Sequence, residues 1–190
     1  DTPRVLYNLP YLASRPIDDW VFIVEGEKDV DNLRALNIAA TTNSGGAGKW
    51  HQVVDDSVLH GRRVAIIPDN DEPGREHAWQ VATALHGQAK AVKIVDLPHM
   101  PEKGDVSDWL SHFRGADGNE LKTRLTGYAD QAEEFVRALA GKAPVPLDLR
   151  AAENPGKALA EADIVCTATT AGQPVFADGD LKPGTHINAI

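Results

Sequence analysis

Three carboxylates give this 190-residue chain its clearest chance of chemistry: Glu25, Asp69 and Asp71. Glu25 follows the apolar run Val21-Phe22-Ile23-Val24, and the two aspartates follow Val64-Ala65-Ile66-Ile67-Pro68. Both runs read as buried parallel strands. Their acids therefore stand at strand carboxyl ends, where open α/β sheets place their ligands. Side chains alternate along a strand, so the outer residues of Asp-x-Asp are expected to point the same way. Two carboxylates on one side with a third nearby suit Mg²⁺, or Mn²⁺, rather than zinc, because magnesium takes oxygen ligands in octahedral geometry. Glu25 could then act as general acid or base, its pKa tuned by neighbouring charge. Asp105 and Asp108 open a further helix, with Asp105 or Ser107 as its cap. Acids at loop tips are commonly just solvated, but acids at three element ends in one chain favour a site.

The elements that must position these acids follow from local pattern. Gly26 allows a sharp turn after Glu25. Glu27 and Asp29 then favour the start of a helix, which Val30, Leu33 and Leu36 continue on one face. Residues 39–42 read as a second strand. Asn43-Ser44-Gly45-Gly46-Ala47-Gly48-Lys49 is a glycine-rich loop, but it fails as a P-loop. No glycine stands at the required distance before Gly48-Lys49, and Trp50 replaces the needed Ser or Thr. Its amides and Lys49 could still touch a phosphate; a plain turn explains the loop equally well. The strand at 63–68 leads through Asp69-Asn70-Asp71-Glu72-Pro73-Gly74-Arg75 into a helix with Ala78, Val81, Ala82 and Leu85 on one face. Residues 91–97 read as a strand and 119–140 as one long helix carrying Leu121, Leu125, Tyr128, Phe135, Val136 and Leu139. At the start, 4–7 reads as a short strand and 9–16 as a proline-bounded connector. Alternating strands and helices predict an α/β fold with a mainly parallel sheet.

Bulk properties narrow the class. With 42% hydrophobic and 25% charged residues the chain reads as soluble and globular. A net charge of -9 argues against purely electrostatic binding of nucleic acid, yet leaves room for an acidic site that meets it through cations. The single cysteine, Cys166, excludes an intrachain disulfide and a cysteine-cluster zinc site, and fits a reducing, cytoplasmic setting. No apolar run reaches membrane-spanning length and no signal peptide is visible, so no membrane partner is expected. The chain starts on Asp1 and ends on Ile190, which suggests that both ends were cut from something longer.

Residues 20 to about 113 resemble the Toprim domain, the catalytic fold of bacterial primases, type IA and type II topoisomerases and some nucleases. Val24-Glu25-Gly26-Glu27-Lys28-Asp29 is similar to its glutamate motif. Asp69-Asn70-Asp71-Glu72-Pro73-Gly74-Arg75 is similar to its Asp-x-Asp motif with the trailing glycine. Gly104-Asp105-Val106-Ser107-Asp108-Trp109-Leu110 looks like the aspartates that follow in primases, which usually space them more tightly. The wording is nearest to the primase-like domains of phage and plasmid replication proteins. The resemblance implies Glu25 as the general acid/base of phosphoryl transfer and Asp69 and Asp71 as Mg²⁺ ligands, with Asp29 and Asp105 as further candidates. It suggests Lys28, Lys49 and Arg75 as phosphate contacts, each also explicable as a surface charge. It implies DNA or RNA and nucleotides as partners. A replication helicase or zinc-binding module would sit on a longer chain; with neither here, primer synthesis is not expected of this chain alone.

The tail reads differently. Ala162-Asp163-Ile164-Val165-Cys166-Thr167-Ala168-Thr169-Thr170, Pro174-Val175 and Leu181-Lys182-Pro183-Gly184-Thr185-His186-Ile187-Asn188-Ala189 resemble, in order, the ornithine cyclodeaminase and μ-crystallin family, which binds NAD on a Rossmann domain. The glycine-rich dinucleotide loop that should precede this stretch is absent, so no cofactor-binding residues are assigned. A helix at 154–162 and strands at 163–170, 175–176 and 185–188 are expected there, with a turn at Lys182-Pro183-Gly184. The expected organisation is an N-terminal connector (1–19), a Toprim domain with a C-terminal helix (20–141), a linker (142–146) and a partial Rossmann-like segment (147–190). The leading function is a Mg²⁺-dependent nucleotidyltransferase-type Toprim domain of a primase-like protein. The alternatives are a Toprim nuclease, an NAD-binding cyclodeaminase-like fragment, and a non-catalytic module that docks nucleic acid or protein.

Overall fold

Alternation along two central strands divides the core between two faces. In the computed structural model, which describes residues 4–113, 115–139, 155–167 and 176–189, the chain forms two units, 1–139 and 140–190. The first unit runs α1 (Leu9–Ser14), β1 (Trp20–Ile23), α2 (Glu27–Ala35), β2 (Ala39–Thr41), β3 (Arg63–Ile66), α3 (Glu72–Leu85), β4 (Ala91–Ile94), α4 (Val106–His112), α5 (Gly118–Gln131) and α6 (Phe135–Leu139). Trp20, Phe22, Val24, Ala65 and Ile67 point to one face, covered by Val30 and Leu33 of α2, Trp109 of α4 and Leu121 and Leu125 of α5. Val21, Ile23, Val64 and Ile66 point to the other, covered by Leu12 of α1, Val81 and Leu85 of α3, and Phe135 of α6. A parallel sheet covered on both sides must be apolar on both sides, which is why its strands read as unbroken apolar runs.

The sheet has the order β2-β1-β3-β4, and its strands are all parallel, where the sequence predicted a mainly parallel sheet. Ile23 pairs with Thr41 and with Ile66, and Ile66 with Ile94, so the four strands end level. The chain leaves β1 toward β2 on one side and returns to β3 on the other. The boundary between β1 and β3 is therefore the topological switch point, where α/β sheets open a crevice at their carboxyl ends.

Four expectations for the first unit need correction. Residues 9–16 contain the helix α1 rather than a connector: Pro10 sits in the first turn, where its missing N–H costs nothing. Residues 4–7 make only isolated bridges, Arg4 to Val53 and Leu6 to Asn43. The long helix at 119–140 is two helices, α5 and α6. Leu121, Leu125 and Ala129 bury on one face of the sheet and Phe135 on the other, so the chain must cross the sheet edge between them. It does so at the β4 edge, where Glu134 bridges Lys93. Finally, β3 ends at Ile66, so strand alternation does not govern Asp69 and Asp71.

The second unit, described by itself, contains α7 (Pro155–Glu161) and the parallel pair β5 (Ile164–Thr167) and β6 (His186–Ala189), with Ile164 opposite His186. Lys182 donates to Asp163 at 2.6 Å and to the Glu161 carbonyl at 3.1 Å, which fixes the turn before β6. Gly184 supplies the left-handed φ of 90° that this turn requires. Phe176 lies in a bend followed by a 3-10 turn, not in the strand expected there. The linker 142–146, and Ala168, Thr169, Thr170 and Val175 of the expected strands, lie outside the described residues.

Candidate functional site

Glu25 leaves β1 at the switch point, and its backbone is fixed on both sides. The Val24 N–H donates to the Thr41 carbonyl at 3.1 Å and the Thr42 hydroxyl to the Glu25 carbonyl at 2.9 Å. Its carboxylate lies back over the start of α3, against Gly74. A Cβ on Gly74 would fall 2.6 Å from Glu25 Oε1 and 2.6 Å from the Asp69 carbonyl, so glycine is required there for space rather than for its φ. Gly26 has a similar role: a Cβ would fall 2.9 Å from Asp29 Oδ2. Glu25 Oε1 is buried and has no hydrogen-bond partner. Burial pushes the Glu25 pKa up, the Asp69 backbone N–H pulls against it, and the charges of Asp71 and Asp29 add to the rise.

Asp69 carries the strongest perturbation. Burial comes first, then the carboxylates of Glu25, Asp29, Asp105 and Asp71, and together they raise its pKa to about 7. Five acids from three separate stretches of sequence thus share one field. Asp71 is the N-cap of α3 and accepts from the Gly74 N–H at 2.8 Å. Asp105 caps α4 in a reciprocal box with Asp108: the Asp108 N–H donates to Asp105 at 2.8 Å and the Asp105 N–H to Asp108 at 3.1 Å. Asp29 is buried and accepts a short hydrogen bond from the Ser107 hydroxyl; the Asn32 amide donates to that hydroxyl at 2.7 Å. Burial raises the Asp29 pKa and the Ser107 bond opposes the rise.

The cations expected at phosphates divide. Lys28 sits 3.4 Å from Asp105, whose charge raises the lysine pKa. Arg75 is occupied by Glu72 at 3.3 Å and reaches the Asn70 carbonyl oxygen of the side chain at 3.5 Å. Lys49 instead lines a separate cleft with Arg4 and the glycine-rich loop. Sequence reading named Gly74 only as the trailing glycine of a motif and Ser107 only as a cap candidate, a place Asp105 takes, and it passed over His77. His77 is buried on α3, and its Nδ1 accepts from the Gly48 N–H at 3.0 Å. The available signal was a lone histidine one position before the apolar face of α3.

Among the described residues no group of three or more His, Cys, Asp or Glu side chains stands in metal-holding geometry. The donor set nevertheless fits a hard divalent cation in kind. It is all oxygen, it crowds like charges, and it includes the orphaned Glu25 Oε1.

Comparison with known proteins gives two different likenesses. Residues 122–190 match the ornithine cyclodeaminase/mu-crystallin family model. A Delta(1)-pyrroline-2-carboxylate reductase of Paracoccus denitrificans (strain Pd 1222) is 38% identical over 60 residues, which is 32% of this chain and 18% of the reductase. The DnaG primase catalytic domain bound to ssDNA is similar at 19% identity and a TM-score of 0.46, covering 70% of this chain and 41% of that one. The E. coli primase catalytic core is similar at 21% identity and a TM-score of 0.48, with the same coverages. The chain thus spans a minor part of each of these relatives. The family match begins at residue 122, inside α5, upstream of the 147 expected from the sequence.

Proposed function

We propose that the first unit carries a divalent-metal-dependent site for phosphoryl transfer on nucleotides or nucleic-acid phosphodiesters, as part of a primase-like replication protein working in the cytoplasm. One observation carries the reading: Glu25 and Asp69 follow adjacent strands at the switch point and share a half-buried field of acids that holds Asp69 near pH 7. So much like charge in one crevice stabilises nothing by itself, and a cation answers it. Asp69 and Asp71 would hold Mg²⁺ or Mn²⁺, with Asp29 and Asp105 at its margin. The metal, when bound, would neutralise charge developing on phosphoryl oxygens and orient the phosphate.

The remaining work falls to the chain's own residues. Glu25 Oε1, unpartnered beside Gly74, accepts the proton of the attacking hydroxyl. Its raised pKa makes it a better base than a solvated carboxylate. Ser107 and Asn32 hold the Asp29 carboxylate in one orientation. Lys28 sits on Asp105 and limits repulsion at the mouth. The test is calorimetric titration with Mn²⁺ on the wild type and on Asp69→Ala with Asp71→Ala, followed by assays of dinucleotide synthesis and of nicking. Binding that the double variant abolishes is expected; equal binding in both proteins overturns the assignment. Nicking without synthesis would move the reading to a nuclease, and metal binding with neither activity to a docking module or to dependence on a helicase or zinc-binding module.

A second reading concerns residues 122–190 alone and rests on their family match. They supply a parallel strand pair of Rossmann type but no glycine-rich dinucleotide loop before it, so we expect no NAD site from them. Saturable quenching of tryptophan fluorescence by NADH would contradict this.

A further inference from the structure

A cleft of about 1360 Å³ opens beside the glycine-rich loop, with Arg4, Glu27, Gly45 and Lys49 on its walls. Glu27 is two residues beyond Glu25, so this cleft adjoins the acid site along the first turn of α2. Gly45 has φ +94°, and a Cβ built on it would fall 3.0 Å from Arg4 Nη1, 3.1 Å from Lys49 Cδ and 3.7 Å from Lys49 Nζ. Two cationic heads thus meet across one glycine. Among the described residues neither has an ion-pair or side-chain hydrogen-bond partner, and Glu27, the acid on the wall, pairs with neither. Like charges held so near each other repel unless an anion lies between them.

The scaffold fixes this meeting. The Arg4 backbone bridges Val53, and its carbonyl accepts from the Val54 N–H at 3.0 Å. The loop is braced from inside by two buried side chains. Asn43 donates to the Gly46 carbonyl at 2.8 Å, and His77 Nδ1 accepts from the Gly48 N–H at 3.0 Å. Burial pushes the His77 pKa down, which keeps the ring neutral and able to accept. Lys49 is followed at once by the buried Trp50, which opens a 3-10 turn and fixes the backbone at the end of the loop. The convergence of Arg4 and Lys49 is therefore built into the first unit.

We propose that this cleft binds the di- or triphosphate group of a nucleotide, gripped by Arg4 and Lys49 across Gly45. Arginine offers a planar fork of donors to phosphate oxygens and lysine a point charge. Two cations at one point match adjacent phosphates on one ligand better than a nucleic-acid backbone, which carries one charge per nucleotide. The chain's net charge of -9 also repels a long polyanion more than a short one. That the ligand is a nucleotide rests on the phosphoryl-transfer reading; the anion site itself rests on the cleft alone.

The experiment uses the full chain, inorganic tripolyphosphate as probe, and buffer with a chelator and no divalent metal. Calorimetry should show saturable binding that Arg4→Gln and Lys49→Gln each weaken by about 10-fold or more, while Arg4→Lys retains part of it. A nucleoside triphosphate should displace the probe and a single-stranded oligonucleotide should not. Asp69→Asn with Asp71→Asn should leave probe binding intact, so failure of the metal site and failure of the anion site read separately. Absence of saturable binding, equal binding by the glutamine variants, or displacement by the oligonucleotide but not by the triphosphate would each overturn the proposal.

Discussion

At the scale of single residues, Gly74 sets how closely the Glu25 carboxylate and the Asp69 backbone approach each other. Glu25 and Asp69 announce themselves because an acid directly after an apolar run is rare enough to notice. Gly74 closes the motif that holds Asp69 and Asp71, but its reason is hidden in the sequence; only the fold brings Glu25 Oε1 onto it. Gly74→Ala must push either the Glu25 side chain or the Asp69 backbone, and backbone does not yield cheaply. We expect a loss of about 1–3 kcal/mol in urea unfolding, as for overpacking elsewhere, together with loss of Mn²⁺ binding. Glu25→Gln should spare the fold and lower phosphoryl-transfer activity by about 10²–10⁴-fold. Asp69 makes a prediction about pH. Its folded pKa, about 7, stands above the ordinary 3.8, so its contribution to stability is full below 3.8 and is lost as pH rises through 7. Asp69→Asn stays neutral throughout. Without metal, the variant's melting temperature relative to wild type should therefore be higher at pH 8 than at pH 4, and calorimetric scans at the two values would show it. A larger gain at pH 4 would mean that the Asp69 carboxylate is compensated in a way its neighbours do not suggest.

At the scale of elements, periodicity predicted the sheet and its main helices but not the places where an element serves a distant partner. The break between α5 and α6 depends on Phe135 packing 5.1 Å from Trp79 on the α3 face of the sheet, opposite the face that α5 covers, a contact that no local pattern encodes. Helix α1 depends on Arg62. That arginine is buried, yet no acid pairs with it among the described residues; it donates to the carbonyls of Leu12, Arg15, Pro16 and Val58. Three of those carbonyls lie at or just past the end of α1, where helix carbonyls lack partners and the dipole favours a cation. Arg62→Met would remove all of these hydrogen bonds at once, leaving Leu12 and Pro16 only the backbone N–H groups of Arg15 and Asp19. We expect it to cost about 2–4 kcal/mol, judged from the value of hydrogen bonds to charged groups, and Arg62→Lys to recover little because lysine lacks the fork. Urea denaturation would measure both, and hydrogen exchange should show the loss concentrated at residues 9–16.

At the scale of the whole molecule, two boundaries compete. The family match begins at residue 122, but the first unit extends to residue 139. The sequence resemblance covers only about 147–190, whereas α5 carries apolar residues that serve the preceding sheet. Packing decides between the boundaries. Both faces of the sheet are completed by residues beyond 121: Leu125 and Ala129 on one and Phe135 on the other, all buried. Among the described residues, none beyond Phe135 belongs to either core cluster. Burial of a leucine or phenylalanine is worth about 1.5–3 kcal/mol, and a domain of this size has only about 5–15 kcal/mol in total. A chain ending at 121 would lose Leu125 and Phe135 together and expose Phe22 and Trp109 as well, so it should be unfolded or lack fixed packing. A chain ending at 139 keeps the whole sheet and both covers. We expect it to melt within about 2 °C of the full chain, a change corresponding to well under 1 kcal/mol, and to retain Mn²⁺ and tripolyphosphate binding. Near-ultraviolet circular dichroism reports on the packed tryptophans and distinguishes the outcomes directly. If the chain ending at 139 failed to fold, the residues from 140 onward would have to supply part of the core of the first unit, and the division at 139 would be wrong.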